Sequence, residues 1–211
     1  MSVLFDGTSN SKIDGKSPIS NFPLTLSAWF YSTSLTADQC LVSVGNILET
    51  SRFCAIVLAG AVPADPFRAY RFGTTARTVS SATAYPINQW GHAAGIFDSS
   101  FHQGFLNGVP TPVNTDAATA SNWNNYKISE LTRSTLGNNV VGKVAEVAIW
   151  NVMLTQQEIR SLSLGLCPLK IRPQSLVSYV PLLRDIADYE RRDANLIPQN
   201  FSISDHPRIY Y

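Results

Sequence analysis

The most constraining stretch of this chain is Gly142-Lys-Val-Ala-Glu-Val-Ala-Ile-Trp-Asn-Val-Met-Leu-Thr-Gln-Gln-Glu-Ile-Arg-Ser-Leu-Ser-Leu-Gly165, which reads as a β-strand running into a capped helix. Val144, Glu146, Ala148 and Trp150 alternate with Ala145, Val147, Ile149 and Asn151. Both sets are mostly apolar, with Glu146 the exception, as expected of a strand covered on both faces. Thr155 and Glu158 stand three apart as a capping box, each able to satisfy a backbone donor at a helix start, and Leu154 and Ile159 fit the flanking hydrophobic staple. Ile159 and Leu162 share one face, and Gly165 can take the left-handed conformation that ends a helix. One short helix is predicted near residues 156–164.

The rest of the first two-thirds consists of short β-like runs between turn residues, at a spacing that suggests a sandwich. The clearest are Leu24 to Tyr31, Gln39 to Val44, Phe53 to Leu58, Phe67 to Phe72, Trp90 to Phe97 and Gln103 to Leu106. Asn107-Gly108 is a preferred two-residue hairpin turn because both residues tolerate positive φ, and Pro110 and Pro112 push the return strand to an edge or cut it short. Thr115 to Tyr126, built of Ala, Ser, Thr and Asn around one Trp, reads as a long surface loop.

At 211 residues the chain is long enough for one large all-β domain without covalent staples. Only 15% of its residues are charged, against about 25% in ordinary proteins, so surface polarity must come from Ser, Thr, Asn and Gln. The net charge of +1 and the absence of a basic stripe argue against nucleic-acid binding. Cys40, Cys54 and Cys167 are odd in number and lack metal-ligand spacing, which favours buried thiols over a disulfide framework or a zinc site. The N-terminus does not read as a signal peptide and no apolar run is long enough to cross a bilayer. Synthesis in a reducing cytoplasm without membrane insertion is the expectation.

The strand-to-helix segment, together with Phe5-Asp-Gly-Thr-Ser-Asn10, Leu24-Thr-Leu-Ser-Ala-Trp-Phe30, Trp90-Gly-His-Ala-Ala-Gly95 and Asn107-Gly108, resembles the LamG-like, concanavalin A-like jelly-roll domains over about four-fifths of the chain. The resemblance implies an antiparallel two-sheet sandwich over residues 1–167, followed by a C-terminal extension over 168–211. In that extension, Ile171-Arg-Pro-Gln-Ser-Leu-Val-Ser-Tyr-Val-Pro-Leu-Leu183 and Ser204-Asp-His-Pro-Arg-Ile-Tyr210 resemble the ends of LamG-like proteins encoded by tailed bacteriophages. This implies a structural protein of a virion, made in the host cytoplasm, acting as a capsid decoration, fibre or tail-associated component. Its partners would be other virion subunits or further copies of itself.

Trp29, Trp90 and Trp150 sit in or at the edge of predicted strands, where core packing is the expected role. Trp123 differs. In Ser121-Asn-Trp-Asn-Asn-Tyr126 an aromatic ring flanked by amides matches the chemistry of sugar binding, the ring covering an apolar sugar face while amides take hydroxyls. Asn122, Trp123, Asn124, Asn125 and Tyr126 are therefore the candidate ligand residues of an alternative function, a carbohydrate-binding adhesion module. The plainer reading of the same segment is packing against its own domain or a neighbouring subunit.

Glycoside hydrolysis needs two carboxylates flanking one bond, and Glu146 stands alone in its strand while Glu130 and Glu158 belong to other elements. No Gly-x-Ser-x-Gly elbow precedes a helix, and His92, His102 and His206 carry no evident catalytic motif. A non-enzymatic protein is expected. No cofactor is firmly implied by the resemblance; calcium is the ion it raises, with Asp6, Asp14, Asp98 and Asn107 as loop-edge candidates but no run of ligands. Asp6 fits better as a cap on the turn at Gly7.

Composition changes after Cys167: residues 168–211 hold 11 charged residues in 44, against 20 in the preceding 167. Acids and bases interleave over Arg184 to Asn195, whereas Ile209-Tyr-Tyr211 is apolar. Arg184, Arg191, Arg192, Arg208, Tyr210 and Tyr211 are accordingly the candidate assembly-interface residues, charges setting register and tyrosines anchoring.

Overall fold

The alternation of apolar and small or polar residues in the strands produces two antiparallel sheets with one main core between them. The computed structural model describes residues 2–119, 122–135, 137–182, 197–199 and 202–210. Its strands are β1 (Ser2–Asp6), β2 (Lys12–Lys16), β3 (Leu24–Ser32), β4 (Asp38–Gly45), β5 (Phe53–Ala59), β6 (Pro66–Phe72), β7 (Ala76–Ala84), β8 (Trp90–Phe97), β9 (His102–Leu106), β10 (Val109–Pro110), β11 (Asn125–Ile128), β12 (Val141–Trp150), β13 (Leu176–Val180), β14 (Ile197–Gln199) and β15 (Ser202–Ser204). The first sheet runs β10-β9-β8-β3-β12-β1-β15, with β13 also pairing β12; the second runs β14-β2-β11-β4-β5-β6-β7. The six strands expected from sequence are β3, β4, β5, β6, β8 and β9, each lengthened by at most a residue or two at an end.

Residue parity decides which side chains enter the core. Leu24, Leu26, Ala28 and Phe30 of β3 point between the sheets, where they join Cys54, Ile56 and Leu58 of β5 and Phe67 and Ala69 of β6. The other parity of β3 carries Thr25, Ser27, Trp29 and Tyr31 and forms the outer face of the first sheet. The β9–β10 turn takes its expected shape, with Asn107 at φ 50° and Gly108 at φ 76°, and the return strand is cut to two residues at Pro110.

Helix α1 (Gln156–Ser163) begins with the predicted capping box: the Glu158 amide donates to Thr155 Oγ1, and the Thr155 amide donates to Glu158 Oε2 at 2.7 Å. The chain leaves the helix through Gly165 at φ 93°. An eight-residue helix is marginal alone, so packing holds it. Ile159 and Leu162 are buried against Trp150, Ala148, Phe105 and Tyr179 on the outer face of the first sheet, each contributing about 1.5–3 kcal/mol.

The expected alternation of β12 changes phase midway. Its pairing with β3 shifts between Ala145 and Ala148, and Glu146 adopts φ 54°. This bulge inserts an extra residue, so Val144 and Val147 both face the main core while Ala148 and Trp150 face the helix. Strict alternation would have placed Val144 and Trp150 on one face.

Beyond Cys167 the described backbone adds strands to the same sandwich. β13 continues along the side of β12 that β1 occupies further up, β14 pairs β2, and β15 pairs β1. Tyr210 then bridges to Leu166, and Ile209 packs on the cluster beneath the helix. The described parts of the extension therefore supply edge strands to both sheets.

Candidate functional site

The amide-rich segment around Trp123 is a packing element. Trp123 is 4% exposed, its ring meets Phe22 edge to face at 5.0 Å, and its indole N–H donates to the Arg52 carbonyl at 2.8 Å. With its faces desolvated and its donor satisfied, it offers no stacking surface. Asn124 is similarly committed: its Oδ1 accepts from the Ile47 amide and its Nδ2 donates to Asn46 Oδ1, tying the 46–49 loop to β11. Asn125 donates to Asp14 Oδ1 at 2.6 Å, and Tyr126 is fully buried in the main core. Of the five ligand candidates only Asn122 is exposed. Trp123 and Tyr126 thus pack within their own domain.

The open aromatic surface lies elsewhere. Trp29, Tyr31 and Trp90, the first and last of them expected in the core, are partly exposed on the outer face of the first sheet, and only Trp150 is fully buried. β3 pairs β8 so that Trp29 lies opposite His92 and Tyr31 opposite Trp90. Tyr31 and Trp90 meet edge to face at 5.9 Å, Trp29 and His92 at 5.4 Å. Lys143 on β12, opposite Tyr31, holds its ammonium 4.7 Å from the Tyr31 ring centre and donates to both oxygens of Asp205 at 2.9 Å. Leu4 of β1, paired with Lys143, extends the row with a partly exposed apolar side chain. The signal was present in sequence: Thr25 and Ser27 share parity with Trp29 and Tyr31, which marks that side of β3 as outward.

Helix α1 and the residues after it cover one end of this outer face, and the shelf occupies the other. Gln89, next to Trp90 in the chain, lines a cleft of about 330 Å³ between the β7 and β9–β10 edges with Thr83, Pro86, Asn107 and Val109. No charged side chain lines that cleft. Its amides and hydroxyl can exchange hydrogen bonds with hydroxyl groups while the shelf supplies apolar faces, the combination that binds small polar ligands with an apolar side. His92 supports the shelf from beneath. It is buried, contacts Ser27 Oγ through Nε2 at 2.9 Å, and its amide donates to Asn107 Oδ1 at 2.8 Å. Burial pushes its imidazole down to about 3, so it is neutral at physiological pH.

Glu130, Glu146 and Glu158 are committed to different partners. Buried Glu130 accepts from Lys12 at 2.9 Å and Lys127 at 2.5 Å; Glu146 accepts from Tyr179; Glu158 caps α1. The calcium candidates do not converge. Asp6 accepts from the Thr8 amide and hydroxyl, which hold its carboxyl below the usual range, whereas Asp98 at the opposite end of the first sheet accepts from Ser99 and Ser100. Asp14 lies on the second sheet with Asn125, and Asn107 serves His92. Among the described residues no three His, Cys, Asp or Glu side chains group as metal ligands would.

Of the assembly candidates, Arg208 and Tyr210 are exposed, with the guanidinium 5.2 Å from the Tyr210 ring centre. Arg184, Arg191, Arg192 and Tyr211 lie outside the described residues. The three thiols are buried and unpaired; Cys40 and Cys54 occupy opposite faces of the second sheet, and burial pushes the Cys40 thiol up to about 12.

No functionally curated protein matches the sequence. Among solved structures, the CBM40 domain of the Ruminococcus gnavus IT-sialidase bound to α2,3-sialyllactose superposes with a TM-score of 0.60 at 15% identity, covering 75% of this chain and 96% of that one. The native heptameric SAP-like pentraxin from Limulus polyphemus gives 0.64 at 12% identity over 94% of both chains. Domain 4 of an extracellular arabinanase from Geobacillus stearothermophilus, in complex with arabinotriose, gives 0.58 at 15% identity over 70% of this chain and 69% of that one. At these identities the likeness is one of fold. The family model of the concanavalin A-like lectin/glucanases superfamily matches residues 5–160, the span that holds both sheets' central strands and the capped start of the helix, and the chain belongs to that superfamily.

Proposed function

We propose that this protein is a non-catalytic carbohydrate-binding module, whose ligand rests on the Trp29, Tyr31 and Trp90 shelf. The observation that carries the reading is the outward placement of three neighbouring aromatic side chains on a sheet face, beside a cleft of uncharged amide and hydroxyl groups. Aromatic side chains left partly in water on a rigid sheet cost solvation that a sugar's apolar face can recover, while Gln89, Asn107 and Thr83 select for its hydroxyls. Two structural neighbours were solved with oligosaccharides, which supports this class of ligand. The uncharged cleft favours a neutral glycan.

A glycan array followed by calorimetry tests the reading. Trp90→Ala and Trp29→Ala should each weaken binding at least tenfold, whereas Asn122→Ala should leave it unchanged. No binding to any glycan, or binding indifferent to both tryptophans, removes the proposal. The setting we propose, from the resemblance of the chain's tail, is display on a bacteriophage particle, where glycan attachment and a structural role coexist. Mass spectrometry of purified particles from the source phage would detect the protein, and its absence from them would remove that setting.

A further inference from the structure

The row of outward side chains that begins at Trp90 and Tyr31 continues into a charged pair. Lys143 lies opposite Tyr31 on one side and Leu4 on the other, and Leu4 lies opposite Ser202 of β15. The chain beyond β15 brings Asp205 to this row, where both of its carboxylate oxygens accept from the Lys143 ammonium at 2.9 Å, so that the pair spans β1. The Ser2 hydroxyl donates to the Asp205 carbonyl and fixes the backbone from which that carboxylate projects. The two partners differ in access. The Lys143 side chain is 15% exposed, with its ammonium against both the Tyr31 ring and the carboxylate, whereas the Asp205 side chain is 71% exposed. An ion pair with one partner so open to water adds little stability. Its larger consequence is the charge met by a molecule lying on Tyr31, and the accessible part of that charge is the carboxylate.

Resting on the glycan-binding reading of the aromatic shelf, we propose that Asp205 is its specificity-determining residue, cancelling the Lys143 charge and turning away glycans that bear an acid group. Without Asp205, the Lys143 ammonium would attract a carboxylate or sulfate at the Tyr31 end of the shelf. Paired, it presents no net charge, and its exposed partner repels such a group. A neutral glycan carries no charge for either partner to attract or repel. The selectivity is therefore set from the tail, outside the strands that carry the rings.

Binding of matched neutral and acidic probes to the full chain tests the proposal: lactose against sialyllactose, and oligomers of galactose, mannose and glucose against those of their uronic acids. The parent protein should prefer the neutral members. Asp205→Asn should raise affinity for the acidic members about fivefold, the attraction of one ammonium in water at about 4 Å, and leave affinity for the neutral ones unchanged. Asp205→Glu should keep the parent's preference, and about 1 M salt, with a screening length of about 3 Å, should erase the gain. Lys143→Met, which leaves the carboxylate unpaired, should lower acidic binding below the parent's. An acidic preference in the parent, or the parent's neutral-to-acidic ratio retained by Asp205→Asn, overturns the role of Asp205 while leaving the shelf as a glycan site. Absence of binding to every probe by parent and variants alike removes the shelf reading, and this role with it.

Discussion

The Tyr179 hydroxyl donates to Glu146 Oε2 at 2.6 Å, joining β13 to the bulge that interrupts β12. Glu146 is buried, and His206 Nε2 lies 2.9 Å from its other oxygen. A carboxylate withdrawn from water persists only with donors of this kind. Burial, and then the neighbouring Glu146, push the Tyr179 phenol well above its usual range, so it remains a donor at all ordinary pH values. Tyr179→Phe should therefore destabilise the protein by about 1.5–3 kcal/mol, the cost of withdrawing a hydrogen bond from a buried charge. Chemical denaturation would measure it, and an unchanged midpoint would show that Glu146 does not depend on Tyr179.

The four tryptophans should divide by burial. Trp150, fully buried with its N–H donating to the Ile171 carbonyl at 2.8 Å, and Trp123 should each cost about 3–5 kcal/mol on replacement by Ala. Trp29→Ala and Trp90→Ala remove rings already partly in water and should cost clearly less while weakening ligand binding. If Trp123→Ala leaves the melting temperature untouched, the packing role assigned to that ring is wrong.

Acid should weaken the fold before the carboxylates titrate. Burial lowers His92 to about 3; burial first, and then Arg71, lowers His102 to about 4, both from an ordinary 6.5. Below 6.5 the unfolded chain binds protons that the folded one refuses, so stability is complete above that value and falls as pH drops towards the folded values. The slope is about 1.4 kcal/mol per pH unit for each imidazole within its window. Denaturation midpoints between pH 7 and 4 should fall accordingly, and His92→Gln should flatten the dependence by roughly half; an equal slope in parent and variant would exclude His92 as its source.

Truncation after Leu183 should do more than remove an interface. It strips β15 from β1 and β14 from β2, takes His206 from Glu146, and uncovers the cluster that Ile209 packs against. A lower melting temperature and aggregation through the freed edges are expected. Static light scattering during a thermal ramp would report both, and a truncated chain that melts and scatters like the parent would mean these contacts hold nothing together.

The sequence by itself determined the sandwich, the capped helix and the Asn107–Gly108 hairpin. These rest on local rules: parity along a strand, a Thr and Glu three residues apart, and two residues tolerant of positive φ. The placement of Trp29 was also legible, because Thr25 and Ser27 mark its side of β3 as outward, although aromatic character alone argued for the core. Only the tertiary structure decided the rest. Trp123 reads as a loop residue until Phe22 and the Arg52 carbonyl, distant in sequence, close around it. The phase change at Glu146 goes with a donor from Tyr179 and with His206 beside its other oxygen, and the pairing of the tail with β1 and β2 joins the chain's opposite ends. Such contacts span many residues, and their energies come from burial and hydrogen bonding across the fold, which no local pattern encodes.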